Sequence, residues 1–423
     1  MGRGLYSLLW RLALPLVLAR LWWRGFKEPG YRRHWAERLG FYGARSAGWH
    51  TIWVHAVSVG ETRAAEPLVD ALLAAYPDSR IVLTHMTPTG RATGKQLFAH
   101  HGERLVQSYL PYDMQPMVER FIAFFVPRIC ILMETEVWPN LVAACARRRV
   151  PVALVNARLS ERSLRRGRRF GALMTEAARG IALVAAQTEA DAARVRSLGA
   201  PRADVTGSIK FDVVAPPAAL ETGAWLRARI GSRPVLLCAS TRDGEEELLL
   251  DAWRAMPQRP PHMLLAIVPR HPQRFDEVAR LAEARGLSVQ RRSQLGPRDA
   301  VATDILLGDS MGEMFAYYAA CDCAFIGGSL LPLGGQNLIE ACALGKPVLV
   351  GPHTFNFAEA TEAAVAAGGA LRVADAGQLL QAAATLLSDP AKRSAMGERA
   401  AGFAGRHRGA TLRTLELLRP LIH

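Results

Sequence analysis

Short apolar runs alternate with polar or amphipathic segments through the first half of the chain. The runs are TIWVHA, IVLTHM, ICILM, VALVNA and IALVAA, beginning at Thr51 and ending at Ala186. Runs of this length are typical of buried strands, and the segments between them have the apolar spacing of helices. The first half is therefore predicted to be an α/β domain, a parallel sheet with crossover helices.

The alternation pauses at residues 210–223, KFDVVAPPAALETG, which are rich in proline and small residues. It resumes with VLLCAS, MLLAIVP, DILLGD, CAFIGG and PVLVGP. We place a domain boundary in this pause and predict two doubly wound, Rossmann-like domains, at residues 31–212 and 213–423. Because open α/β sheets bind ligands at the carboxyl ends of their strands, the strand-end loops of both domains are expected to face a shared cleft.

The N-terminal segment, residues 1–30, has a different pattern. LYSLLWRLALPLVLARLWWRG combines apolar residues with tryptophans and arginines that suit the level of lipid headgroups. Arg11 and Arg20 limit its uninterrupted apolar run to residues 12–19, short of the roughly 20 residues that span a bilayer. We predict a helix that associates with a membrane surface. The alternative is an amphipathic helix packed on the protein's own core.

The charge distribution also indicates an anionic partner. The net charge is +14, residues 1–50 hold nine Lys or Arg against two Glu, and residues 146–170 contain a second arginine-rich run. Such charge favours either nucleic acid or a membrane with acidic lipids. Aromatic residues are not interleaved with the arginines of this run, as they are in proteins that stack on single strands. We therefore predict an anionic membrane surface and no nucleic acid.

Cysteine and carboxylate spacing predicts no metal centre. The chain has no CxxC, no HExxH and no Asp-x-Asp motif. Its six cysteines lie mostly in apolar segments, which predicts buried, reduced side chains in a cytosolic setting.

Three loops that follow strands in the second half are candidates for binding a nucleotide. IVPRHPQRF places Arg270 and His271 after a buried strand, where they can donate to a phosphate. GDSMGEMF places Gly312 and Glu313 at a helix start, where backbone N–H groups are available. A third loop, GGQNLIEA, carries a carboxylate suited to ribose hydroxyls. Together the loops predict a nucleotide or nucleotide-sugar pocket, although each alone is also typical of an ordinary turn.

Two carboxylates and a lysine in the first half are candidates for chemistry. Glu61, in HAVSVGET, stands in a strand–turn–helix segment that would otherwise suit a phosphate, so we predict that it is a general base for an acceptor hydroxyl. Glu134, in METEVWPN, follows a strand; capping the next helix is its alternative role. Lys210, in TGSIKFD, is either a group that neutralises a leaving phosphate or a solvated lysine.

At these residues the sequence resembles the 3-deoxy-D-manno-octulosonic acid (Kdo) transferases, which are membrane-associated glycosyltransferases of GT-B architecture. The resemblance extends over nearly the whole chain, in matching blocks that occur in order. These blocks are RLWWRGFKEPGYRRHWAERLGFY, HAVSVGET, TPTGR, LPYD, METEVWPNL, NARLSERS, TGSIKFD, VPRHPQRF, GDSMGEMF, FIGGSLLPLGGQNLIEA and VGPHTFNF.

The resemblance implies transfer of Kdo from CMP-Kdo to a tetraacylated lipid A precursor, without a metal or other cofactor. It implies that Glu61 is the base and that Glu134 and Lys210 stabilise the transition state. Gln336 stands where some members have histidine. The first domain would bind the acceptor and the second CMP-Kdo. The implied CMP site consists of Pro269, Arg270, His271, Met311, Gly312, Glu313, Asn337, Leu338, Ile339 and Glu340.

The same resemblance implies a location at the cytoplasmic face of the inner membrane. Arg63 and the arginines of residues 147–169 are candidates for holding the phosphates of the lipid acceptor, although a solvated basic face is an equal alternative. Two other functions stay open at this point. One is another GT-B transferase or a sugar-nucleotide epimerase, and the other is a non-catalytic nucleotide-sensing or nucleic-acid-binding protein.

Overall fold

The computed structural model describes residues 2–43, 49–256 and 259–422. These residues form two compact units. Unit 1 contains the described residues up to Asp212 together with those from Arg408 onward, and unit 2 is Val213–His407.

Unit 1 is built on a parallel sheet of seven strands in the order β3-β2-β1-β4-β5-β6-β7. The strands are β1 (His50–His55), β2 (Ser79–His85), β3 (Leu105–Tyr109), β4 (Pro127–Met133), β5 (Val152–Ala157), β6 (Leu183–Ala186) and β7 (Ala203–Val205). The helices are α1 (Arg3–Lys27), α2 (Trp35–Arg38), α3 (Val59–Ala64), α4 (Glu66–Ala75), α5 (Pro88–Leu97), α6 (Gln115–Phe125), α7 (Pro139–Arg147), α8 (Glu161–Arg169), α9 (Ala172–Arg179) and α10 (Glu189–Leu198).

Unit 2 has a second parallel sheet, in the order β10-β11-β9-β8-β12-β13-β14. Its strands are β8 (Val235–Thr241), β9 (Leu264–Pro269), β10 (Val289–Arg291), β11 (Ile305–Leu307), β12 (Cys323–Ile326), β13 (Val348–Val350) and β14 (Ala370–Arg372). Its helices are α11 (Pro217–Ile230), α12 (Glu245–Ala255), α13 (Phe275–Glu283), α14 (Met314–Ala320), α15 (Ile339–Ala343), α16 (Ala358–Ala366), α17 (Ala376–Ser388) and α18 (Pro390–Arg406). The last helix, α19 (Ala410–Leu418), belongs to unit 1.

These two sheets confirm the predicted pair of doubly wound α/β domains. Their inner strands are mostly apolar and buried on both faces, as strands must be when helices cover a parallel sheet, whereas the edge strands β3, β7, β10 and β14 are partly exposed. In each sheet the strand order reverses beside the first strand, between β1 and β4 in unit 1 and between β8 and β12 in unit 2. Ligands of doubly wound folds bind at the carboxyl ends of the strands that flank such a reversal.

The end of the chain differs from the predicted range 213–423, because α19 packs with unit 1. Leu415 and Leu418 enter the same apolar cluster as Val54 of β1. The carboxylate of Asp212 accepts hydrogen bonds from the backbone N–H groups of Gly409 and Thr411. An amphipathic pattern predicts a helix but not which sheet it covers, so this return was not visible in the sequence.

The N-terminal helix α1 has one packed face and one exposed face. Trp10 and Leu14 pack against a small cluster that includes Tyr112, and the hydroxyl of Tyr6 donates to Asp113 at 2.9 Å. The opposite face exposes leucines and tryptophans, among them Leu12, Leu16, Trp22 and Trp23. By length and composition the helix is long and apolar enough to cross a membrane. One face of the helix therefore packs on unit 1, as the core-packing alternative requires, and the other leaves an apolar surface exposed, so association with a membrane stays a prediction.

All six cysteines are buried and free, as predicted. They lie in the apolar interiors of the two units and take part in no disulfide.

Candidate active site

The carboxylate of Glu61 is held in the turn between β1 and α3. The backbone N–H of Val57 donates to one carboxylate oxygen at 2.7 Å, and the hydroxyl of Ser58 lies 3.4 Å from the other. Glu61 thus occupies a backbone donor that a phosphate would take in a phosphate-binding turn. This contact explains how a glutamate is accommodated at a position where the strand–turn–helix pattern suits an anion.

The pKa of Glu61 is raised to about 7, chiefly by burial. The negative charges of Glu136 and Glu134 also raise this pKa, and the hydrogen bonds from Val57 and Ser58 lower it. Burial and the Glu134 charge also raise the pKa of Glu136. A carboxyl group with a pKa near neutrality is partly ionised at physiological pH and is a much stronger base than an exposed glutamate. It therefore has the property that a general base requires.

Glu134 and Lys210 form an ion pair within unit 1. Lys210 lies on a single 3₁₀ turn, Ile209–Asp212, and its Nζ is 2.8 Å from Oε1 of Glu134. Glu134 directly follows β4, the neighbour of β1 across the reversal in strand order, and adopts a left-handed backbone with φ 58°. The capping alternative is not supported, since the first backbone N–H groups of α7, those of Asn140 and Leu141, donate to the carboxylate of Asp113 instead. The structure therefore brings Glu61, Glu134 and Lys210 to one edge of the first sheet.

A buried layer of histidines lies beside this edge and was not anticipated from the sequence. His55 and His85 end the adjacent strands β1 and β2, and burial lowers their pKa values to about 3 and about 4, so both are neutral at physiological pH. Nδ1 of His85 lies 3.1 Å from the carbonyl oxygen of Ala56, at the start of the Glu61 turn. The available signal was a histidine in the next-to-last position of two consecutive apolar runs, TIWVHA and IVLTHM.

In unit 2, the ends of β8 and β9 carry a concentration of positive charge. Pro269 is the last residue of β9, and the backbone N–H of Arg270 donates to the carbonyl of Thr241 at 2.9 Å. Burial and the guanidinium charges of Arg242 and Arg270 lower the pKa of His271. The structure therefore groups His271 with two arginines, one of which, Arg242, the sequence did not single out. Such an arrangement suits a phosphate.

The loop that leads into α14 presents backbone rather than a free carboxylate. Gly312 has φ 83°, a left-handed conformation that favours glycine, and Met311 is exposed. The carboxylate of Glu313 is already bound, because Arg292 lies 3.0 Å from one oxygen and Ser310 donates to the other at 2.5 Å. Arg292 was also missed from the sequence, where it lies in a polar segment without a pattern.

The predicted residues 337–340 start α15. Leu338 and Ile339 are buried, so only their backbone is available to a ligand. Asn337 accepts from the N–H of Ile339 at 3.0 Å and donates to Glu340 Oε1 at 3.0 Å. These contacts fix the side chains of Asn337 and Glu340 against each other at the start of the helix.

A fully buried glutamate supports the preceding glycine-rich loop. Glu245, the first residue of α12, accepts the backbone N–H groups of Arg242 at 2.9 Å, Gly328 at 2.6 Å and Leu330 at 2.9 Å. Three hydrogen bonds to backbone donors satisfy this carboxylate without a cation. In the sequence it was indistinguishable from the other acidic residues of a helix start.

One group of side chains among the described residues has spacing that suits a metal ion, and it contains none of the predicted site residues. It consists of Asp70, His100 and His101. Nε2 of His101 lies 2.6 Å from a carboxylate oxygen of Asp70, within hydrogen-bond distance. Both histidines precede β3, at the amino end of the sheet and so away from the strand ends that hold Glu61.

Comparison with known proteins identifies the family. Residues 33–213 match the family described as "3-Deoxy-D-manno-octulosonic-acid transferase (kdotransferase)". The chain is 48% identical to the 3-deoxy-D-manno-octulosonic acid transferase of Bordetella pertussis, over 99% of both chains. It is 39% identical to the enzyme of the same name from Haemophilus influenzae, over 100% of this chain and 99% of that one.

A solved structure shows the same fold. A glycosyltransferase from Rickettsia africae superposes with a TM-score of 0.60 at 13% identity, over 89% of this chain and 99% of that one. Likeness at this identity concerns the fold alone, and it extends over both Rossmann-like sheets, as in GT-B glycosyltransferases. Because the chain is similar over its full length to two Kdo transferases, it belongs to the Kdo transferase family of GT-B glycosyltransferases.

Proposed function

We propose that the protein transfers Kdo from CMP-Kdo to a tetraacylated lipid A precursor, as a step in the synthesis of the lipopolysaccharide inner core. The family assigns Kdo transfer; the donor and acceptor are our proposal. The observation that carries it is the Glu61 carboxylate, which is buried, has a pKa of about 7 and lies at the edge of the sheet that holds the Glu134–Lys210 pair.

Glu61 acts as the general base. In its ionised form it accepts the proton of the acceptor hydroxyl while the oxygen forms a bond to the anomeric carbon of Kdo. The bond from that carbon to the CMP phosphate breaks on the opposite side, so the configuration inverts. Activity should therefore require the ionised form of Glu61 and increase as the pH rises through its pKa.

The ion pair of Glu134 and Lys210 stabilises the transition state. Its ammonium group offsets negative charge that develops on the departing phosphate, and its carboxylate offsets positive charge on the sugar ring. Arg270 and His271, the backbone of residues 311–313 and the start of α15 bind CMP. We propose that these side chains and backbone groups suffice without a metal or other cofactor.

The acceptor is a lipid, and unit 1 has surfaces suited to it. The exposed leucines and tryptophans of α1 suit the apolar boundary of a bilayer. Helix α8 exposes five arginines, which suit lipid phosphates: Arg162, Arg165, Arg166, Arg168 and Arg169. Arg63 is also exposed. We propose that the protein works at the anionic cytoplasmic face of the inner membrane.

The test is transfer by the purified protein from CMP-Kdo to the lipid A precursor, with CMP release and product mass measured together. Glu61→Gln should lose activity by at least about 10²-fold and keep its fold. The matched control is Glu66→Gln. Burial raises the pKa of Glu66 as well, but Glu66 lies in α4 and has no role in the proposed mechanism. CMP release or sugar isomerisation without the lipid would indicate a different nucleotide-sugar enzyme. An active Glu61→Gln variant would show that Glu61 is not the general base.

A further inference from the structure

Asn156 is a strained and buried residue at the carboxyl end of β5. Its φ is 52°, in the left-handed region, although it lies inside a strand. The pairing of β5 with β6 shifts register between Leu154 and Ala157, so Asn156 lies in the bulge. It is completely buried. Strain of this kind persists only where surrounding contacts hold it, and it is concentrated at functional sites.

The side chain of Asn156 holds one neighbour and leaves one donor unused. Its Oδ1 accepts the backbone N–H of Ile209 at 3.1 Å, and Gln187 donates to its main-chain oxygen at 2.9 Å. Its Nδ2 is buried and has no hydrogen-bond partner. A buried amide with an unsatisfied donor destabilises the fold relative to an apolar residue. The hydrogen bond to Ile209 is therefore the contact that accounts for an asparagine here.

That hydrogen bond fixes one end of the turn that carries Lys210. Ile209 is fully buried among the apolar residues of unit 1, and Asp212, at the other end of the turn, is bound to the first backbone groups of α19. Lys210 lies between these two anchors, and its Nζ is 2.8 Å from Glu134.

The same end of β5 also fixes the partner of Lys210. The backbone N–H of Glu134 donates to the carbonyl of Val155, the residue before Asn156, at 2.9 Å. Two consecutive residues of β5 therefore hold the two members of the ion pair, Val155 through the backbone of Glu134 and Asn156 through that of Ile209. Both contacts therefore lie at the bulged carboxyl end of β5, one to the segment that carries Glu134 and the other to the turn that carries Lys210.

We propose that Asn156 is a positioning residue, which sets the Lys210 ammonium against the Glu134 carboxylate for Kdo transfer. The proposal rests on the function proposed above and assigns no contact between Asn156 and substrate. Its cause is geometric: the amide oxygen fixes the backbone one residue before Lys210, and the left-handed backbone aims that oxygen at the turn.

Three variants separate this role from a general effect on folding. Asn156→Ala removes the acceptor and keeps the strain, whereas Asn156→Gly removes both, because glycine adopts a positive φ freely. Val126→Gly is the control: Val126 has φ 45° and precedes β4, at the opposite end of the same sheet. We expect both Asn156 variants to lower kcat about 10- to 100-fold with KM for CMP-Kdo within about threefold, and Val126→Gly to keep wild-type kcat.

The decisive measurement is a double-mutant cycle with Lys210→Met. If Asn156 acts through Lys210, Asn156→Gly should lower kcat by less than about threefold in the Lys210→Met background. An equal loss in both backgrounds would overturn the proposal and leave the proposed function intact. If Lys210→Met had the wild-type kcat, Lys210 would have no role in the mechanism, and the proposal for Asn156 would be overturned.

A second readout does not depend on turnover. Reductive methylation followed by mass spectrometry reports how accessible each lysine is, and Lys95 serves as an internal reference. Asn156→Gly should increase the methylation rate of Lys210 relative to Lys95 at least about threefold, because the ammonium is no longer held against Glu134. An unchanged ratio would contradict the proposal, even if the wild-type protein transferred no Kdo.

Discussion

In both units the strand order reverses beside the first strand, but the two reversals carry side chains of opposite charge. In unit 1, Glu61 and Glu134 follow the strands that flank the reversal, with Glu136 close by. In unit 2, Arg242 directly follows β8, which flanks the reversal, and Arg270 directly follows β9, the other neighbour of β8. The fold therefore sets where a ligand binds, and the side chains at the strand ends set whether a proton acceptor or an anion site results.

A second comparison concerns one glutamate in each unit. Glu61 and Glu245 each stand in the helix that follows the first strand of their sheet, and each accepts backbone N–H groups of its own turn. Glu245 is fully buried and bound by three donors, whereas Glu61 is partly exposed and has one backbone donor among the hydrogen bonds described. The three backbone donors make Glu245 a structural residue, whereas burial raises the pKa of Glu61 so that this carboxylate can take up a proton.

The largest expected effect comes from substituting one charged residue in each unit, Glu61 in unit 1 and Arg270 in unit 2. Glu61→Gln should lower kcat about 10³-fold with little change in CMP affinity, because the role proposed for the carboxylate is to accept the proton of the acceptor hydroxyl. Arg270→Ala should weaken CMP binding about 10-fold or more, since it removes a cation from the proposed phosphate site. Calorimetric titration with CMP and steady-state kinetics measure both. Equal effects of the two variants on CMP affinity would break the comparison.

Removal of the Glu245 carboxylate tests the structural role of this glutamate in the comparison with Glu61. Glu245→Ala leaves three buried N–H groups without an acceptor and should lower the free energy of unfolding by about 3 kcal/mol. Glu247→Ala is the control, because Glu247 lies exposed in the same helix turn. Denaturant unfolding measures the difference. A Glu245→Ala protein as stable as the control would contradict the structural role.

Lys210 offers an intermediate effect in unit 1. Lys210→Met should lower kcat about 10- to 100-fold, because the transition state loses a positioned cation, while the fold is retained. Lys210→Arg should recover part of the loss, since it restores the charge with a different geometry. Steady-state kinetics at saturating donor measure both. Equal activity of Lys210→Met and wild type would exclude an electrostatic role.

The smallest expected effect concerns the pH dependence. The Glu136 charge raises the pKa of Glu61 in addition to burial, so Glu136→Gln should lower that pKa. Because the ionised base is active, the acid limb of the pH–rate profile should move to lower pH, by up to about one unit. The profile of kcat against pH measures the shift. A limb that stays at the same pH would show that the Glu136 charge does not act on Glu61.

Sequence patterns predicted the sheets because buried strands in parallel sheets are continuous apolar runs. They also placed Glu61 and Arg270 near the carboxyl ends of strands, where ligands of such folds bind, while the roles of the two residues stay predictions. Arg292 and Glu245 were missed, because their partners lie far away in sequence. The left-handed backbone of Asn156 arises from the pairing of β5 with β6, which the local sequence does not encode.

The roles of the site residues stay predictions, and one measurement tests the central one most directly. Single-turnover transfer rates of wild type and Glu61→Gln are compared from about pH 5 to about pH 9, with the donor saturating. The account predicts a wild-type rate that rises about tenfold per pH unit and levels off near pH 7, the pKa of Glu61. It also predicts a residual Glu61→Gln rate without that limb. A Glu61→Gln profile with the same limb and a comparable rate would show that the base is another group.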